Sequence, residues 1–107
     1  MLEYVAQNSR SGDGLFSYYA AWSAVKYYWQ RPDVPVLLQP TNDRDQPALF
    51  AERFDRFAAE HKRVWFVFTH NWRSEQVEWI ELLKGQYQLV DHFENETASA
   101  HLFAKKN

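Results

Sequence analysis

The sequence predicts an α/β domain, a three-layer α/β/α sandwich around a mostly parallel, Rossmann-like sheet of five strands that ends in an antiparallel hairpin. Three observations carry this. Val64 to Phe68 is an unbroken run of β-branched and aromatic residues, the composition of a strand buried on both faces. Before and after it, strand-like runs alternate with stripes of helical period, in the order α-β-α-β-α-β-α-β-β, which calls for parallel strands and crossover helices. The last two runs are separated only by Asn95-Glu96-Thr97-Ala98, short enough for a hairpin.

Leu2 to Asn8 reads as a short helix with Leu2, Val5 and Ala6 on one side and no capping residue in front. A helix that opens without a cap leads us to expect chain upstream, so residues 1–107 read as one domain that is a piece of a larger protein. Ser9 to Gly14 is turn chemistry, with two glycines that tolerate positive φ. Leu15 to Tyr19 is a strand. Ala20 to Trp29 follows with Trp22, Val25 and Trp29 at helical spacing, and Arg31-Pro32 stops it because proline lacks a donor and restricts its predecessor. Val34 to Leu38 is a strand whose Pro35 suits an edge.

After the polar stretch Gln39 to Gln46, Pro47 takes a first helical position. Phe50, Phe54, Phe57, Ala58 and His61 form the apolar stripe of a helix over 47–60, with Glu52, Arg53, Asp55 and Arg56 toward water. The central strand comes next. Ser74 is expected to cap the following helix, whose stripe is Val77, Ile80 and Leu83, widened by Trp79 and Leu82 and closed at Lys84-Gly85. Tyr87 to Glu94 and Ser99 to Ala104 are the hairpin strands.

Composition removes several function classes. The 107 residues carry a net charge of -2 with acids and bases interleaved, so no basic face is offered to nucleic acid. There is no cysteine, hence no disulfide and no thiolate chemistry. No run reaches the roughly 18 apolar residues of a membrane span, and no signal-peptide core is present. Hydrophobic residues at 46% and aromatics at 18% argue for a packed core.

In an open α/β sheet, ligands gather beyond the strand ends. The segments that follow the first three strands supply Tyr19, Asn42, Arg44, His70, Asn71, Trp72 and Arg73 as a candidate ligand or acceptor surface, with Gln39, Thr41 and Asp43 nearby. Arg44 and Arg73 suit an anion and Trp72 suits a sugar or ring. The competing reading makes these residues caps, core closure and solvated charge. The first strand-to-helix turn, Tyr18-Tyr19-Ala20-Ala21-Trp22, has no glycine, so no phosphate cradle is expected. Asp43 and Asp45 read as loop polarity rather than an acid-base pair, and no serine sits in GxSxG.

Of the four histidines, none is spaced i, i+4; His92 and His101 face each other across the hairpin as a polar pair, and no metal and no cofactor is expected. Asn95-Glu96-Thr97 fits a glycosylation acceptor, a triplet common by chance. Tyr18, Tyr19, Trp22, Tyr27, Tyr28 and Trp29 exceed what one helix can bury, so some rings are expected at a surface.

Asp13-Gly14-Leu15-Phe16-Ser17-Tyr18-Tyr19-Ala20-Ala21-Trp22-Ser23-Ala24-Val25-Lys26-Tyr27-Tyr28 resembles the C-terminal soluble domain of bacterial multi-pass glycosyltransferases. These are similar to the dolichyl-phosphate-mannose-protein mannosyltransferases and the lipid A aminoarabinose transferase. Arg63 to His70, the following helix with Gly85, and Leu2-Glu3-Tyr4-Val5 also resemble that domain. The resemblance covers nearly the whole chain, on loose aromatic motifs. In that family the catalytic carboxylates and the polyprenyl-phosphate-sugar site lie in the membrane part, so no catalytic residue is carried over. It implies a non-catalytic domain on the extracytoplasmic face of a bacterial membrane, partnered by the membrane-embedded part of the same polypeptide and by a glycan, lipid or protein acceptor. The alternative is a free-standing ligand-binding protein or enzyme using the segments after the first three strands.

Overall fold

A computed structural model of the chain describes residues 1–18, 22–38, 47–69, 73–95 and 98–106. Within them are helices α1 (Leu2–Asn8), α2 (Trp22–Tyr28), α3 (Pro47–Glu60) and α4 (Arg73–Lys84), and strands β1 (Gly14–Ser17), β2 (Val36–Leu38), β3 (Arg63–Thr69), β4 (Tyr87–Glu94) and β5 (Ala98–Lys105). None of these helices is long and apolar enough to cross a membrane.

The strands form one open sheet in the order β2-β1-β3-β5-β4. β1 pairs in parallel with β2 and with β3, while β5 pairs antiparallel with both β3 and β4. Only β5 runs against the other four strands. The hairpin therefore inserts its second strand into the sheet and leaves its first, β4, at the edge. β2 is the opposite edge, as Pro35 implies, because proline has no N–H for a further neighbour. Ser74 lies inside the first turn of α4 rather than before it, since the helix already begins at Arg73.

β3 alternates between two packed clusters, as a strand covered on both sides must. Val64, Phe66 and Phe68 join Phe50, Phe54 and Ala58 of α3 and Trp79, Ile80 and Leu83 of α4. Trp65 and Val67 join Val5 of α1, Val25 of α2, and Val34.

β4 does not alternate simply. Its register against β5 shifts between Leu89 and Asp91, leaving Val90 as the extra, exposed residue. Tyr87 and Leu89 belong with the α3/α4 cluster, whereas Phe93 belongs with the α1/α2 cluster. A bulge reverses the sense of every later side chain. It sends Asp91 and Phe93 to Tyr4 of α1, and His92 to the face of His101. Tyr4 Oη donates to both Asp91 carboxylate oxygens, at 3.0 and 2.8 Å, and its ring stacks on Phe93 at 5.0 Å.

Candidate functional site

Going from β1 the chain moves to β2 on one side and returns to β3 on the other, so the ends of β1 and β3 flank the point where the winding reverses. There the Tyr18 N–H donates to the Val67 carbonyl at 3.0 Å, carrying the ladder one residue past β1. Tyr18 is fully buried, with its ring 4.8 Å from that of Phe68. Tyr18 thus puts a buried ring, not a glycine, just past the end of β1. Of the candidate surface, Tyr19, Asn42, Arg44, His70, Asn71 and Trp72 lie outside the described residues, as do Gln39, Thr41, Asp43 and Asp45. Arg73 is the first residue of α4, which begins where β3 ends.

The other end of the sheet shows what the Asp13-Gly14 turn does. Asp13, 3% exposed, accepts from Arg63 Nε and Nη2 at 3.1 and 2.9 Å and from the Arg10 N–H at 2.8 Å. Arg63 Nη2 also donates to the Asn8 carbonyl at 3.2 Å, tying the end of α1 to the start of β3. Gly12 has φ +93°, so positive φ is needed there. Gly14 is needed for a different reason than its neighbour. A Cβ on it would stand 2.6 Å from the Phe57 ring, so the residue is small because α3 packs directly on the strand. The turn is a packing device, and its conspicuous residues are used up in making it.

On the hairpin, His92 and His101 are direct cross-strand partners, their rings 6.0 Å apart and within 15° of parallel. β5 is interior and β4 is an edge, so His101 is buried while His92 is exposed. His101 Nε2 lies 3.3 Å from Ser99 Oγ, and its ring meets Phe68 edge-on at 6.4 Å. Burial first, then the neighbouring His92 and Lys84, lower the His101 pKa to about 4. Its imidazole is thus neutral at ordinary pH. Among the described residues no group of three or more His, Cys, Asp or Glu is placed to hold a metal ion.

The aromatic surplus divides. Val25 is buried, whereas Tyr27 and Tyr28 are 81% and 72% exposed at the end of α2. Trp29 is half-buried, and its Nε1 donates to the Val34 carbonyl at 3.1 Å. Arg31 closes this corner through Asp33, at 2.7 Å, and through the carbonyls of Ala6 and Ser9, at 2.6 and 3.2 Å. The Asp33 hydrogen bond raises the Arg31 pKa, and the same bond lowers that of Asp33. Between Trp29 and Val36 lies an open hollow of about 330 Å³ lined by Pro32, Val34 and Pro35. Six aromatics within the twelve residues Tyr18 to Trp29 make exposed rings expected here, but the sequence does not say which ones.

Comparison with known proteins finds no matching family model, no similar curated protein and no similar solved structure.

Proposed function

We propose that this chain is the non-catalytic extracytoplasmic domain of a bacterial, polyprenyl-phosphate-sugar-dependent membrane glycosyltransferase. In this reading it recognises the acceptor, or roofs the active site, above a membrane-embedded catalytic part of the same polypeptide, and needs no cofactor of its own. The observation that supports it most is how the residues behind the resemblance are employed. Asp13 pairs with Arg63, Gly14 yields space to Phe57, and Tyr18 fills the end of the first strand. Each is committed to packing, which suits a domain that presents a surface and leaves chemistry to another part. The two exposed tyrosines of α2 are amphipathic rings of the kind found at interfaces. In its finer form the fold reading is a three-layer, Rossmann-like sandwich, supported by apolar clusters on either side of the sheet.

The test is the reading frame around this chain. Apolar spans of about 20 residues upstream and in frame are expected. A functional start at Met1 with a stop codon just before it overturns the proposal.

The reversal of winding at β1 and β3 favours a second reading, a ligand-binding protein using the segments after the first three strands. A thermal-shift screen of sugars, sugar phosphates and nucleotides separates the two. The second reading requires a ligand whose stabilisation Arg73→Ala removes, and the first requires none from nucleotides.

A further inference from the structure

We propose that the hollow between the end of α2 and the start of β2 is a subsite for a neutral ring sugar, a hexopyranose stacked on Trp29. The inference is independent of both readings of function above. The hollow precedes β2, so it lies at the opposite end of the parallel strands from the segments that follow them. Trp29, Gln30, Arg31, Pro32, Pro35 and Val36 line it together with the buried Val34. This lining is stiff. Two of its members are prolines, whose rings fix φ. Trp29 packs against the apolar cluster of α1 and α2, and its Nε1 donates to the Val34 carbonyl at 3.1 Å, which fixes the plane of the indole. The ring is only half-buried and borders the hollow. An aromatic surface is therefore held ready, and little rotamer freedom is lost when a ligand covers it. The C–H groups of a sugar ring suit such a face, and its hydroxyls suit polar groups at the rim.

Charge selects the ligand. Arg31 is the charged residue of this lining, and its guanidinium is already committed. Such a group has five N–H donors. Nε and one Nη2 hydrogen go to the Asp33 carboxylate, and Nη1 donates to the Ala6 and Ser9 carbonyls. No two-pronged fork is left for a phosphate or carboxylate, and the Asp33 side chain, 41% exposed, repels either. A cationic ligand is opposed by Arg31 itself. What remains is one Nη2 hydrogen, the spare lone pairs of Asp33 beside it, and the exposed amide of Gln30. Single donors and acceptors of this kind suit hydroxyl groups. The volume of about 330 Å³ stands at the lower end of small-ligand sites, which run from about 300 to 1,000 Å³, and suits one sugar ring. An open hollow with so few polar groups binds such a ligand in the millimolar range.

The experiment follows the indole N–H signals of the chain by proton–nitrogen correlation NMR during titration with glucose, galactose and mannose. The Trp29 signal is the one missing from Trp29→Phe. At least one of the sugars is expected to shift it with millimolar saturation, and the phosphate ester of that sugar is expected to bind more weakly. Gln30 is exposed, so Gln30→Ala keeps the fold and is expected to weaken binding about threefold or more. Trp29→Ala removes the stacking surface and is expected to abolish binding. Trp29 also packs on the core, so Gln30→Ala carries the test if Trp29→Ala does not fold. Val90→Ser, on the opposite edge of the sheet, is expected to bind as wild type does. The proposal is overturned by no shift at Trp29 with any of the three sugars, by a phosphate ester that binds more tightly, by unchanged affinity in Gln30→Ala, or by loss of binding in Val90→Ser. None of these outcomes bears on the reading-frame test above.

Discussion

Toward α3 and α4, β3 presents Val64, Phe66 and Phe68 to rings from Phe16, Tyr18, Phe50, Phe54, Trp79, Tyr87 and Phe103. Toward α1 and α2, the same strand presents Trp65 and Val67 to Val5, Leu15, Val25, Val34, Ala100 and Leu102. The first face is a network of ring pairs. Phe54 alone meets Phe16, Phe50, Phe66, Tyr87 and Phe103 at 5.2 to 6.3 Å. Among the described residues the second is mostly aliphatic, with Trp65 as its one fully buried ring, and it is closed by the Tyr4–Asp91 hydrogen bonds. Large rings carry more buried area per residue and fix one another's angles, so a gap among them cannot refill. Smaller side chains leave smaller holes.

The difference is open to direct attack. Phe54→Ala should cost about 3–5 kcal/mol in urea unfolding, against about 2 kcal/mol for Val67→Ala on the opposite face. Similar losses would mean that the ring network has no special stiffness. Acid should act next. His101 sits on the aromatic face with its pKa lowered to about 4 from an ordinary 6.5. The unfolded chain takes up that proton first, so the contribution is complete above pH 6.5 and is lost as pH falls toward 4. Stability should drop by up to about 3 kcal/mol across that window, and His101→Gln should flatten the profile. Smaller is Tyr4→Phe on the aliphatic face, which removes the hydrogen bonds to Asp91 while keeping the stack on Phe93. A small loss, below that of either core change, is expected by thermal or urea unfolding. Smallest of all, Tyr27→Ser with Tyr28→Ser should change stability by less than about 0.5 kcal/mol each. A larger loss would show that these rings support the fold and are not a free surface.

Tyr87 adds a control on the same network. Its hydroxyl donates to Asp55 of α3, and burial first, then that bond, raises its pKa. It therefore stays protonated through the acid window, which leaves the slope there to His101 and to carboxylates.

Much of the architecture is legible in the sequence because it is written locally. Pro47 begins α3, Arg31-Pro32 lies beyond the end of α2, and the all-apolar Val64 to Phe68 is buried on both faces. These follow from period, backbone restriction and side-chain shape, which neighbouring residues suffice to determine. The hairpin and the pairing of His92 with His101 were also within reach, because a short turn restricts register. Tertiary structure alone decided the rest. Nothing local places β5 inside β4, and that choice buries one histidine of the pair and exposes the other. Nor does YQLVDHFE announce the bulge at Val90 that turns Asp91 and Phe93 toward α1, since bulges answer to the partner strand. The tie between Asp13 and Arg63 spans 50 residues. Its role, like the need for Gly14 against Phe57, appears only when α3 and β3 have docked, because close approach is a property of two surfaces and neither sequence segment contains it.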